Sequence, residues 1–206
     1  MKKLLLLSAL LIFACSFGQT PITDDNFEKA INMCLSTNPI DGMCSNSQYG
    51  AMQDWDVSSV TTMMDVFHGE FNGDISSWDV SNVVYMGAMF SGSSFNQDIS
   101  SWDVSNVVYM TSMFRDSSFN QPIGDWNVSS VTSMEGMFMN NTSFNHDLSN
   151  WNVSNIYSMD NMFNGASAFN QNLSSWYVYV VTSCTDFSNE TSQWILPQPN
   201  FTNCTP

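Results

Sequence analysis

Apolar residues recur along this chain in fixed columns, each placed relative to a tryptophan, with Ser, Thr, Asn and Asp filling the positions between. Trp55, Trp78, Trp102, Trp126, Trp151 and Trp176 stand 23, 24, 24, 25 and 25 residues apart. Seven residues before the tryptophan comes Phe71, Phe95, Phe119, Phe144 or Phe169, each followed by an asparagine. Three before it stands Met52, Ile75, Ile99, Ile123, Leu148 or Leu173; two after it a valine; five after it Val60, Val83, Val107, Val131, Ile156 or Val181. The unit closes on a methionine and then on pairs such as Met89-Phe90 and Met113-Phe114. A period of this size denotes an array of stacked units, because one unit cannot bury its apolar face alone. Val107, Met110, Met113 and Phe114 lie at i, i+3, i+6 and i+7, which predicts a short helix with Ser105 as its N-cap. Upstream, Phe95, Gln97 and Ile99 share one parity and Trp102 and Val104 the other. That predicts extended pieces joined by a corner at Ser100-Ser101. The expected coil is thus a short strand plus a short helix.

The ends of the chain break the period. Met1-Lys2-Lys3, the apolar run Leu4 to Ala14 and the small residues Ser16 and Gly18 predict a secretory signal peptide over residues 1–18. This run is too short to span a membrane, and Cys15 stands as an alternative lipid-attachment site. Residues 19–44 are expected to form an N-terminal helical cap, with Thr23 as N-cap, Asp24 and Asp25 at the helix start, and Phe27, Ile31, Cys34 and Leu35 as the buried stripe. About six repeats over 45–187 follow, and 188–206 is expected to be an irregular C-terminal cap. The mature chain keeps four cysteines. Stacked coils rise roughly 5 Å each, so the two ends lie beyond disulfide reach. Only the local pairs Cys34–Cys44 and Cys184–Cys204 are feasible, as suits an exported protein.

Charge narrows the chemistry. Nineteen acidic residues face four basic ones, for a formal net charge of −15. Lys2 and Lys3 belong to the signal segment, so Lys29 and Arg115 alone remain. Phosphate binding needs a basic surface, which excludes nucleic acid as a partner. Asp56, Asp79 and Asp103 follow successive tryptophans and would stack in a row, as would Asp74 and Asp98, so calcium is the one ion to consider; otherwise no cofactor and no metal are expected. His68 and His146 are isolated, and no Cys or His spacing suits a metal. No nucleophile, paired-carboxylate site, phosphate loop or dinucleotide fingerprint departs from the repeat pattern. The chain is therefore expected not to be an enzyme.

The units Trp-Asp-Val-Ser-Asn-Val-x-x-Met-x-x-Met-Phe and Phe-Asn-Gln-Asp-Ile-Ser-x-Trp, over residues 49–187, resemble the BspA-type leucine-rich repeat surface proteins. The resemblance implies an α/β repeat fold, a leucine-rich-repeat-like solenoid, secreted or displayed at a bacterial cell surface. It also implies adhesion to an extracellular protein or glycan. A carbohydrate-active enzyme on the solenoid and a purely structural surface component are the alternatives. The chain is expected to be a monomer without a transmembrane segment. Among the solvent-facing columns, the position seven after the tryptophan holds Tyr85 and Tyr109 in successive coils. Large rings with little rotamer entropy make them the expected ligand anchor, with Asp79 and Asp103 of the same coils as secondary contributors.

Overall fold

The structure, a computed structural model, describes residues 20–206. The expected signal peptide and Cys15 lie outside the described residues. Helix α1 spans Phe27–Leu35 and buries Phe27, Ala30, Ile31 and Cys34 against the first coils, as its apolar spacing predicts. It begins later than expected. Thr23 does not cap it with its side chain; its carbonyl accepts the amides of Asn26 and Phe27, and its own amide donates to Asn26 Oδ1 at 3.0 Å. Asp24 does not lie over the helix start but reaches the first coil instead.

The coils stack on one another through their columns. Phe67, Phe90, Phe114, Phe138 and Phe163 form one ladder with ring centroids 5.4 to 5.7 Å apart. Phe71, Phe95, Phe119, Phe144 and Phe169 form a second, at 6.0 to 6.3 Å. The two ladders face each other at 4.0 to 4.3 Å within each coil. All ten rings are fully buried. The tryptophans are buried beside them, and from Trp78 to Trp176 each indole N–H donates to a carbonyl of the preceding coil: Trp78 to Met52, Trp102 to Ile75, Trp126 to Ile99, Trp151 to Ile123 and Trp176 to Leu148, at 2.8 to 3.3 Å. The polar handle of each indole is thereby satisfied inside the core.

The corner at Ser100-Ser101 is present: the Trp102 amide donates to the Ile99 carbonyl at 3.1 Å, and Asp98 Oδ1 accepts the Ser100 amide at 2.9 Å. A second corner follows at Ser105-Asn106, where the Val107 amide donates to Val104 at 2.9 Å. Ser105 is therefore a turn residue and not a helix cap.

The strand and helix expected in every coil are not formed, and the α/β, leucine-rich-repeat-like fold class is corrected accordingly. Among the described residues the only helices are α1 and a single 3-10 turn over Met52–Asp54. Neighbouring coils meet in single-residue parallel bridges, chiefly the row Thr62, Tyr85, Tyr109, Ser133, Ser158 and Ser183. The reason lies in the backbone. Where a helix was expected, each coil has two left-handed residues, at Asp65, Ala88, Ser112, Gly136, Asn161 or Asp186 and again four positions on at Gly69, Gly92, Asp116, Asn140, Gly165 or Glu190, with φ between 53° and 70°. An L-residue helix cannot continue through such positions. The amides that would have bonded four residues back turn to the next coil: Met86 to Tyr109, Ala88 to Thr111, Phe90 to Met113 and Gly92 to Arg115, at 2.8 to 3.0 Å. The Met89 and Ser91 amides close three-residue turns to Met86 and Ala88. Successive turns thus direct Met and Phe inward with the spacing of a helix face.

At both ends of the stack aromatic rings meet at steep angles. Phe27 meets Trp78 at 67° and Tyr49 meets Trp55 at 63°. At the other end Trp194 stands at 75° to Phe163 and 84° to Phe169, and Phe201 at 70° to Phe187. The C-terminal segment continues the period: Trp194 and Phe201 follow Phe169 and Trp176 by 25 residues, and the Trp194 indole donates to Gln171 as the other indoles do to their preceding coils. Residues 188–206 form no helix or strand, yet they keep part of the repeat's register. Two disulfides, Cys34–Cys44 and Cys184–Cys204, with Cα atoms 5.2 and 5.9 Å apart, tie the ends.

Candidate ligand-binding row

The bridge row runs across the coils on the outside, and it carries the two tyrosines singled out from the sequence. The Tyr85 amide donates to Thr61 and its carbonyl accepts from Met63; the Tyr109 amide donates to Val84 and its carbonyl accepts from Met86. Each tyrosine is thereby fastened to the coil in front. Their rings stack at 5.5 Å with planes 9° apart, and they are 42% and 37% exposed. Among the described residues neither hydroxyl has a hydrogen-bond partner. Two residues beyond Tyr85 the chain has Gly87, and Met64 of the preceding coil lies over it, half exposed: a Cβ built there would stand 3.3 Å from Met64 Cε. Met64, Tyr85 and Tyr109 form a group of exposed apolar side chains close together in the chain register of successive coils.

A carboxylate is bonded to the coil in front of the tyrosine pair, and another belongs to the coil behind it. Asp24 accepts the Thr61 amide at 2.7 Å, the Thr61 hydroxyl at 2.6 Å and the Thr62 amide at 3.3 Å, and Thr62 is the bridge partner of Tyr85. Burial opposes its ionisation, but those three hydrogen bonds outweigh it and hold the carboxyl below its ordinary range. Past Tyr109 the row continues into Ser133, and Glu135, two residues on, is exposed. A diagonal neighbour across paired extended rows is within reach of a long side chain.

Asp79 and Asp103 are not brought into this group. They belong to the corner ahead of the row, where Asp79 Oδ1 accepts the Ser81 amide and hydroxyl at 3.1 and 2.6 Å and Asp103 Oδ1 accepts the Ser105 amide at 3.0 Å. Hydrogen bonds from the Ser105 side chain and backbone hold the Asp103 carboxyl low. Asp56, Asp74 and Asp98 make the same turn-closing bonds with Ser58, Ser76 and Ser100. These rows face their own turns instead of converging, and among the described residues no group of three or more His, Cys, Asp or Glu side chains is placed to hold a metal ion.

His146 occupies the column in which Gln97, Gln121 and Gln171 donate to the preceding coil, with Nε2 3.2 Å from the Asn120 carbonyl. His68 lies against the carbonyls of Ser91 and Asp65. One exposed cluster was not assigned to a site from the sequence. Tyr177 and Tyr179 have ring centroids 4.7 Å apart and, with Val180, are exposed at the last full coil. They replace the Asn-x-Ser turn of the coils before them while Trp176, Val178 and Val181 stay buried. That selective change is the signal that could have found them, since a decaying repeat would lose its core columns too.

No helix among the described residues is long and apolar enough to cross a membrane. No curated protein and no solved structure matches the chain. One family model does match, over residues 38–123 and again over 115–196. The two overlapping matches reflect the internal repetition and cover well over half of the chain. It belongs to the family described as "Mycoplasma protein of unknown function, DUF285".

Proposed function

We propose that the chain is a non-catalytic binding module, exported through residues 1–18 and working as a monomer, released or held at the cell surface, with an extracellular protein or glycan as its ligand. The observation that carries this reading is the Tyr85–Tyr109 pair, stacked, exposed and fixed by the backbone on both sides. Preorganised aromatic area binds with little ordering cost. Two disulfides accord with an oxidising compartment, and the motif resemblance to BspA-type surface proteins accords with display. The test immobilises residues 19–206 and compares it with a Tyr85→Ser, Tyr109→Ser variant on a panel of extracellular matrix proteins, basic peptides and glycans. The variant should keep the wild-type circular dichroism spectrum and lose retention of the bound class; equal retention by both chains would overturn the reading.

A further inference from the structure

We infer that the occupant of the tyrosine row is a basic, arginine-bearing extended segment of a partner protein. This rests on the proposed binding role and names its ligand class. Three observations select it. First, Tyr85 and Tyr109 stack on one another and stay more than a third exposed, which leaves the outer ring faces for a further planar group, and a guanidinium is the cation that stacks best there.

Second, one carboxylate is bonded to the coil before the pair and another belongs to the coil after it. Asp24 is bonded to Thr61 and Thr62 beside Tyr85, and Glu135 stands one coil beyond the Thr111 position that follows Tyr109. The Ser112 amide, next in the chain, donates to the Glu135 carbonyl at 2.8 Å, which sets that register. A segment lying along the row would place one arginine against an outer ring face and others toward the acids of the neighbouring coils.

Third, the net charge of the chain is strongly negative. Between residues 20 and 206 nineteen carboxylates face Lys29 and Arg115 alone. Arg115 is already paired with Asp116 at 3.1 Å. Anionic surfaces, sulfated glycans and nucleic acids are repelled from such a molecule, whereas a cationic segment is drawn to it and then sorted by the rings. Charge brings the partner to the surface, and the tyrosines decide where it rests.

The test is fluorescence anisotropy with a short labelled oligo-arginine peptide, an oligo-lysine peptide of equal length and an uncharged glycine-serine peptide. It uses residues 19–206 at physiological salt. Oligo-arginine should bind about tenfold more tightly than oligo-lysine, as ring stacking adds to charge, and the neutral peptide should not bind. Tyr85→Ser, Tyr109→Ser should erase that preference, while Tyr85→Phe, Tyr109→Phe retains it. Glu135→Gln should weaken both basic peptides alike. Equal oligo-arginine affinity in the wild-type and serine variants would overturn the inference, because charge alone would then account for binding. If instead a neutral glycan binds and the serine variant loses it, the ligand class is wrong and the binding module stands. If nothing binds the row, both readings fall.

Discussion

The side-chain carbonyl of Asn96 accepts the backbone amide of Asn120 at 2.8 Å. The same bond recurs from Asn96 to Asn72, Asn145 to Asn120 and Asn170 to Asn145, and the last asparagine accepts the amides of Ile195 and Leu196. The asparagine after each phenylalanine is thus a backbone substitute that joins coils where their main chains do not pair. Asn120→Ala should cost about 1 kcal/mol, the net value of the hydrogen bond lost to the Asn145 amide, read as a lower urea midpoint at unchanged slope.

Trp102 is buried and its indole N–H donates to Ile75. Trp102→Ala should destabilise the chain by about 3–5 kcal/mol, because the rigid ladders on either side cannot close over the cavity. Differential scanning calorimetry would register this as a large fall in melting temperature, and an unchanged value would place the ring outside the core.

The inward columns, the cap helix and the two local disulfides were legible in the sequence. Periodicity reports which residues face inward, and Phe95, Ile99, Trp102, Val104 and Met110 are buried as the columns require. Periodicity does not report how the backbone turns them there. Met110, Met113 and Phe114 fit a helix face, yet consecutive turns reach the same spacing. The overlooked signal was the pair of positions holding Asp65, Asn161 and Asp186 in one column and Gly69, Gly92, Asn140 and Gly165 in the other, residues that tolerate a left-handed backbone. Ala88, Ser112 and Glu190 masked it. The tyrosine pair was legible because bulky rings stand out in a column of small residues.

Ala88 holds φ at 54° without glycine's freedom. Ala88→Gly should raise stability by up to about 1 kcal/mol, the relief of the left-handed Cβ contact less the entropy glycine adds to the unfolded chain. Gly165→Ala should do the reverse and cost more, since a Cβ there would overlap Asn140 Oδ1 at a φ of 70°. Paired thermal melts of the two variants against wild type check both signs.

Asp24 links α1's leading turn to the first coil, and its folded-state pKa lies below the ordinary 3.8. A depressed carboxyl contributes stability that is complete above the unfolded value and lost as pH falls through the folded one. Asp24→Ala should therefore cost about 1 kcal/mol near neutrality. The gap between variant and wild type should close below pH 3.8. Urea titrations across that window would show the two midpoints converging; a gap independent of pH would contradict the assigned bonds.

Everything proposed for the exposed row depends on successive coils being joined amide to carbonyl across some two dozen residues, without a helix in between. Hydrogen-bond scalar couplings measured by NMR on the labelled chain report those partners directly. The stack predicts couplings from the Ala88 nitrogen to the Thr111 carbonyl carbon, from Ser112 to Glu135 and from Gly136 to Asp160. Couplings from these same nitrogens to carbonyls four residues earlier in the chain would contradict it and restore a helix to each coil.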